Sequence, residues 1–328
     1  MKFEWIDFYS EFATKLLLFK NDRKALIERI NDVYTAINMQ VPKLESGGDI
    51  IDIDPFTIFG LFNKGITNSN RIAIIRSIAN VFGIEAKVPN NFDGIPVLNN
   101  LKATFYAFKE DRKADDIDNI WNVFEAALRL ADNDTEQNRK EFSKWYDLVH
   151  DQRCIRWNIT MGLYWIRPYT YINLDSRNRW YISNVENMPA EFVDSIKKKI
   201  NKVPNATDYL FIKDACIKAL EVGSYEYKNY PELSYSAWIV SEQVNRQKAA
   251  ANGKKLSNAA FLRWFKPLIQ ALRDLGGSGT PAEARAKIVE NEQLSDEEVN
   301  AIRGKNNVNK FENEVAFARS YLVNAGYI

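Results

Sequence analysis

The chain has 328 residues, 46% of them hydrophobic and 13% aromatic, which is ample for sizeable cores and argues against a disordered polymer. Lys plus Arg number 44 and Asp plus Glu 43, so the whole chain has no polyelectrolyte bias, and any nucleic-acid surface must come from local clustering. One histidine, His150, and two isolated cysteines, Cys154 and Cys216, exclude multi-histidine zinc chemistry and a disulfide framework and fit a reducing compartment.

The opening MKFEWIDFYSEF is acidic and amphipathic, unlike the basic-then-apolar layout of a secretion signal. No run approaches the ~20 apolar residues of a membrane span, so a cytoplasmic protein without membrane contact is expected. Trp5, Phe8, Phe12, Leu16 and Phe19 step by three and four, as do Leu26, Ile30, Val33 and Ile37. The same period recurs at Ile75, Ile78 and Phe82, at Ile117, Trp121, Phe124 and Leu128, and at Phe142, Trp145 and Val149. Each stripe predicts the core face of a helix. Turn-rich pieces, 44–56 and 87–100, separate them. His150 ends the last stripe, where the helix dipole favours a cation, so it reads as a helix end and not as a catalytic base.

From Ile155 aromatics crowd together in IRWNITMGLYWIRPYTYINLDSRNRWYI. This composition fits short strands or a buried helix meeting a loop at Arg167 and Pro168. Arg167 and Asp175 flank the turn and are expected to pair with each other. Trp165, Tyr169, Tyr171 and Trp180 are read as core in preference to a platform for a flipped base. A second aromatic block, YEYKNYPELSYSAW (225–238), leads into a further helix. The segment SEQVNRQKAAANGKKLSN (241–258) then sets Arg246, Lys248, Lys254 and Lys255 against Glu242 alone. A basic linker over 246–258 is expected, separating a domain at 1–245 from one at 259–328.

LRDLGGSGTPAEARAKI (272–288) has the look of a phosphate-binding loop. A P-loop, however, needs GxxxxGK followed by a hydroxyl residue and must follow a strand. This stretch lacks the lysine and follows a helical pattern. Its glycines suit a left-handed helix end at Gly276 or Gly277. Thr280, Pro281 and Glu283 make a capping box with proline at the first helical position. Ser295 and Glu298 make a second box. RGKNNVNK (303–310) reads as a polar basic loop, and Phe311, Val315, Ala318 and Leu322 mark a last helix. Several short helices with a basic loop before the last one have the layout of a winged helix-turn-helix.

FLRWFKPLIQALRDLGGSGTPAEARAKIVENEQLSDEE and the ending FENEVAFARSYLVNAGYI resemble the N-terminal domain of Mrr-type restriction proteins, over about 259–328. That resemblance implies a DNA-binding winged helix, here expected with an incomplete wing, because the wing strands should follow Ala325 and Gly326. DIDPFTIFGLFNKG, FDGIPVLNNLKATFYAF, NITMGLYWIRPYTYINLDSRNRWYI and YEYKNYPELSYSAW are similar to the leading region of McrB-like AAA+ restriction proteins, over about 1–245. The AAA+ motor and the nuclease domain have no counterpart in the sequence. The fold expectation is therefore mainly α (α+β): a helix-rich N-terminal domain with short strands, then the winged helix.

Together the resemblances imply a non-catalytic DNA-recognition component of a modification-dependent restriction or phage-defence system. Its partner would be double-stranded DNA, with a nuclease or AAA+ effector subunit and no cofactor or metal. Arg303, Lys305, Lys310 and Arg319 suit phosphates, while Asn307, Asn313, Phe317 and Ser320 suit base edges or the groove. Nine basic and nine acidic side chains share residues 259–328, and Glu312 and Glu314 open the recognition helix where a phosphate backbone would repel them. Two alternatives stand beside this reading. One is a magnesium nuclease using Asp54 with the ExK residues Glu85 and Lys87, the carboxylates holding the ion and the lysine orienting water. The other is an adaptor whose winged helix docks a protein through Phe317.

Overall fold

A computed structural model describes residues 3–99, 103–223, 225, 227–251, 260–303, 308–324 and 327–328. Fifteen α-helices account for most of it, so the protein is predominantly α-helical. The chain divides into two compact units, Met1–Glu242 and Gln243–Ile328.

The first unit is laid down by α1 (Trp5–Leu17), α2 (Arg23–Ala36), α3 (Pro55–Phe62), α4 (Asn68–Phe82), α5 (Asp116–Asp132) and α6 (Glu136–His150). It continues with α7 (Asn158–Ile166), α8 (Ser176–Ile182), α9 (Ala190–Ile196), α10 (Ala206–Val222) and α11 (Tyr230–Ala251). Side-chain oxygens of Asp22, Asp54, Thr67, Thr135, Asp175 and Asn205 each cap the helix that follows by accepting a backbone N–H of its first turn. Amphipathic α1, α5 and α6 bury the stripes read from the sequence. Every residue of α3 is buried, as is α7 from Ile159 to Ile166, so these two short helices form the centre about which the others pack. Gly162 lets them meet, because a Cβ there would lie 2.6 Å from a ring carbon of Phe56.

The interior is aromatic throughout. Trp5, Tyr9, Phe12, Phe59 and Phe62 meet at ring distances of 5.2 to 5.6 Å in mostly tilted or edge-on pairs. Elsewhere Tyr146 stacks on Tyr209 at 5.4 Å, and Phe142 on Tyr171 at 5.7 Å. Their hydroxyls are partly answered by backbone: Tyr171 donates to the Ala127 carbonyl and Tyr209 to that of Ile172. Trp165 and Tyr171 are core, as read, but Tyr169 and Trp180 are exposed.

Several sequence expectations need correction. The first unit contains no strand among its described residues, only an isolated parallel bridge between Lys64 and Leu98, so its α+β character is not realised. Of the two readings of the aromatic block, short strands or a buried helix, the helix is the one found: α7 ends at Ile166 and meets a turn at Arg167 and Pro168. Arg167 does not pair with Asp175. Its guanidinium donates to the Ser10 carbonyl and to Thr14 Oγ1, with Asp132 at 3.8 Å, while Asp175 caps α8. His150 ends α6 as read, held between Asp151 and the Val203 carbonyl. α11 extends through 246–251, the start of the expected linker, and residues 252–259 lie outside the described residues.

The end of α11 falls in the second unit, which after the undescribed residues has a 3-10 turn, Ala260–Trp264, and α12 (Phe265–Asp274). Gly276 and Gly277 follow with φ of +85° and +100°, and the Gly277 N–H returns to the Leu272 carbonyl at 2.8 Å, a left-handed helix stop that favours glycine. Thr280 and Glu283 close their capping box at the start of α13 (Pro281–Glu292), and Ser295 and Glu298 close theirs at α14 (Asp296–Asn300). β1 (Ile302–Arg303) then pairs antiparallel with β2 (Val308–Asn309), ahead of α15 (Lys310–Asn324). Paired strand residues thus stand at both ends of the stretch read as a polar loop, ahead of the last helix, whereas strands were expected only after that helix; residues 304–307 lie outside the described residues. Trp264, Leu268, Ala271, Ala284, Ile288, Phe311, Val315, Ala318 and Leu322 make the core, drawn from α12, α13 and α15. Among the described residues no helix is long and apolar enough to cross a membrane.

Candidate nucleic-acid interface

α15 takes its orientation from four core residues, Phe311, Val315, Ala318 and Leu322, spaced three and four apart. Its start is tied down from two directions. Asn309 Oδ1 accepts the Glu312 N–H at 2.9 Å while Nδ2 donates to the Val299 carbonyl at 2.7 Å, and the Lys310 N–H donates to the Ala301 carbonyl at 2.8 Å. One asparagine therefore caps α15 and fastens it to α14.

Of the two acids that looked repulsive in the sequence, one is buried and the other is paired with a cation. Glu314 is buried, accepts the Trp264 indole N–H at 2.9 Å and has the Arg263 guanidinium at 3.3 Å. Arg263 also lies 4.4 Å above the Trp264 ring. Glu312 is exposed but faces Arg285 at 3.5 Å. Other acids of the unit serve local structure. Glu283 and Glu298 complete capping boxes, Asp274 accepts from Gln270 and Asn291, and Glu290 pairs with Lys287. Those backbone and side-chain donors hold the Glu283 and Glu298 carboxyls below the usual range. A charge-neutral unit can in this way still present a cationic face.

Along α15, Ala316, Phe317, Arg319 and Ser320 are exposed and Asn313 and Lys310 half-buried, with Lys310 and Arg319, nine residues apart, on opposite flanks of the helix. Lys310 and Arg319 have no ion-pair partner among the described residues. Asn313, Phe317 and Ser320 fall within one helical face at i, i+4 and i+7, with Arg319 on its edge. Arg303 lies on β1, while Lys305 and Asn307 lie outside the described residues. A flank of the helix is aromatic: Phe261 stacks on Tyr321 at 5.0 Å and approaches Phe317 at 6.1 Å.

Sequence reasoning passed over one cationic row. Lys266, Gln270 and Arg273 are exposed on α12 at i, i+4 and i+7 and, with Glu292 opposite, line a shallow groove. The helical spacing of those three was the available signal.

The residues of the nuclease alternative have other occupations. Asp54 is wholly buried, and its Oδ1 accepts the Phe56 and Thr57 N–H groups at 2.8 and 2.9 Å. Glu85 and Lys87 are exposed; the Glu85 N–H donates to Glu11, and the Lys87 ammonium is 3.4 Å from Glu4. Among the described residues no group of three His, Cys, Asp or Glu side chains could hold a metal ion.

Residues 5–240 match the family model of a domain of unknown function, DUF8425, and residues 261–328 match that of the Mrr N-terminal domain. No curated protein and no solved structure matches the chain.

Proposed function

The chain belongs to the family defined by the domain of unknown function DUF8425, and from that premise, together with its Mrr N-terminal match, we propose that it is a DNA-recognition component whose residues 261–328 hold duplex DNA. The observation that carries the reading is that Lys310 and Arg319, on the two flanks of α15, are free of acidic partners among the described residues while Glu312 is engaged by Arg285 and Glu314 by Trp264 and Arg263. Helix and paired strands lie next to each other in the chain. The helix would lie along a groove, with Asn313 and Ser320 at base edges, and Arg303, Lys305, Lys310 and Arg319 at phosphates. Asn307 and Phe317 would contact the groove walls. Lys266 and Arg273 on α12 extend the set of cations.

On this reading the chain is non-catalytic and serves a modification-dependent restriction or phage-defence system, in which a nuclease or AAA+ subunit acts on what it binds. The McrB-like resemblance of 1–245 forms part of the same proposal, as does the division into 1–245, a linker at 246–258 and 259–328. Selection of bound sequences from a random duplex pool, with and without substitutions, tests it. Lys310→Ala should weaken all sequences alike, whereas Asn313→Ala with Ser320→Ala should relax preference at one or two positions. A pool from which the wild-type chain retains no duplex at low salt contradicts the reading.

The aromatic flank favours a second reading. Phe317 is 52% and Tyr321 49% exposed, and with Phe261 they form an apolar strip suited to a protein partner. Phe317→Ser that abolishes association with an effector while leaving duplex affinity intact would support this adaptor role.

A further inference from the structure

α8 is anchored by Asn178, Tyr181 and Ile182, which are buried, and its Trp180 is not needed for that anchoring. The indole is 40% exposed, and its N–H has no partner among the described residues. It stands in an open groove of about 670 Å³ whose walls come from α8, the turn after it, α9 and the segment following α9. The lining is mixed: Trp180, Val185, Val193 and Ile200 are apolar, while Arg179, Asn184, Asn201, two serines, Lys197 and Asp194 are polar or charged. Arg179 is held in place with its guanidinium 3.7 Å from the Trp157 ring and donating to the Leu174 carbonyl.

Lys197, Ile200 and Asn201 of the lining belong to IKKKINK (196–202), four lysines in seven residues with no acid, in a chain whose net charge is +1. Lys199 is taken by Asp208. Lys197, Lys198 and Lys202 are exposed and without an ion pair among the described residues.

Cations beside an exposed aromatic ring in a channel of amides and hydroxyls are the parts of a single-strand platform: lysines track phosphates, a base lies on the ring, and the amides bond to base edges and sugars. A duplex fits less well, because its base faces are covered by their neighbours and cannot meet the indole. An anionic membrane fits less well too, since insertion needs aromatics on a protruding surface and Trp180 lies in a concavity. We propose that this groove of the N-terminal unit binds a single strand of nucleic acid, with a base stacked on Trp180 and the phosphates running along Lys197, Lys198 and Lys202. It is a different unit and a different set of residues from the duplex surface on α15, so either can fail without the other.

The test is fluorescence anisotropy of the full chain with labelled oligothymidine and oligouridine of about twelve nucleotides, alongside a duplex and phosphatidylserine vesicles. The wild-type chain should bind at least one of the two strands at low salt. Trp180→Ala should weaken that binding at least about fivefold, the lower end of what one stacked base contributes. Trp180→Phe should keep most of the affinity, which also certifies the fold. Lys197→Glu with Lys198→Glu should weaken the strand and flatten its salt dependence while leaving the duplex alone. Absence of strand binding, equal affinity in wild type and Trp180→Ala, or binding to the vesicles in place of the strand would overturn the proposal.

Discussion

Asp54 gives the sharpest test of how the N-terminal unit is put together. Its carboxyl is buried at the start of α3, with Oδ1 accepting two backbone N–H groups and Oδ2 without any hydrogen-bond partner. Burial is the dominant influence and pushes its pKa up to about 6, against the pull of the capping bonds. The folded protein therefore holds this proton more tightly than the unfolded chain does. The stability contributed is fully present below about pH 4 and is lost as pH rises through about 6. Between about pH 5 and about pH 8 the loss integrates to about 1.4 kcal/mol. Asp54→Asn keeps an acceptor for the Phe56 and Thr57 N–H groups and removes the titration. Parallel urea unfolding of wild type and variant isolates this group from every other carboxylate. Tryptophan fluorescence reports the right unit, since seven of the eight tryptophans precede residue 243. The variant should gain about 1.4 kcal/mol on wild type as pH is raised across that window. Profiles that run parallel, or a wild type that gains on the variant, would refute the reasoning.

Two further outcomes follow from packing. Glu314→Ala strands the buried Trp264 indole N–H and should cost about 1–3 kcal/mol in the thermal transition of the second unit, whereas Glu314→Gln, which keeps an acceptor, should lose much less; equal losses would mean the bond contributes nothing. Gly162→Ala forces a methyl to 2.6 Å from Phe56 where α3 meets α7, and overpacking of about 1–3 kcal/mol should appear as a lower urea midpoint; an unchanged midpoint would show that the ring yields freely.

Punctuation and one-sided helices were legible in the sequence because each rests on local chemistry. Thr280 with Glu283 and Ser295 with Glu298 cap where read, Gly276 and Gly277 turn the chain with positive φ, and the stripe Phe311, Val315, Ala318 and Leu322 is the buried side of α15. What escaped depends on tertiary surroundings. α7 is apolar nearly all round, so no period told helix from strand. The paired strands β1 and β2 have two residues each, too short for alternation to register. Counting charges set Glu312 and Glu314 against DNA, and only packing reveals that one faces Trp264 and the other Arg285. Arg167 and Asp175, eight residues apart across a turn, each found a nearer partner.

The salt dependence of duplex affinity bears most directly on the claim that α15 and the residues before it hold DNA. Each phosphate contact contributes about 0.9 to the slope of log affinity against log salt. Lys310→Ala combined with Arg319→Ala should reduce the magnitude of the wild-type slope by about 2 and weaken binding. Identical slopes for wild type and variant, or a wild-type affinity indifferent to salt, would contradict it.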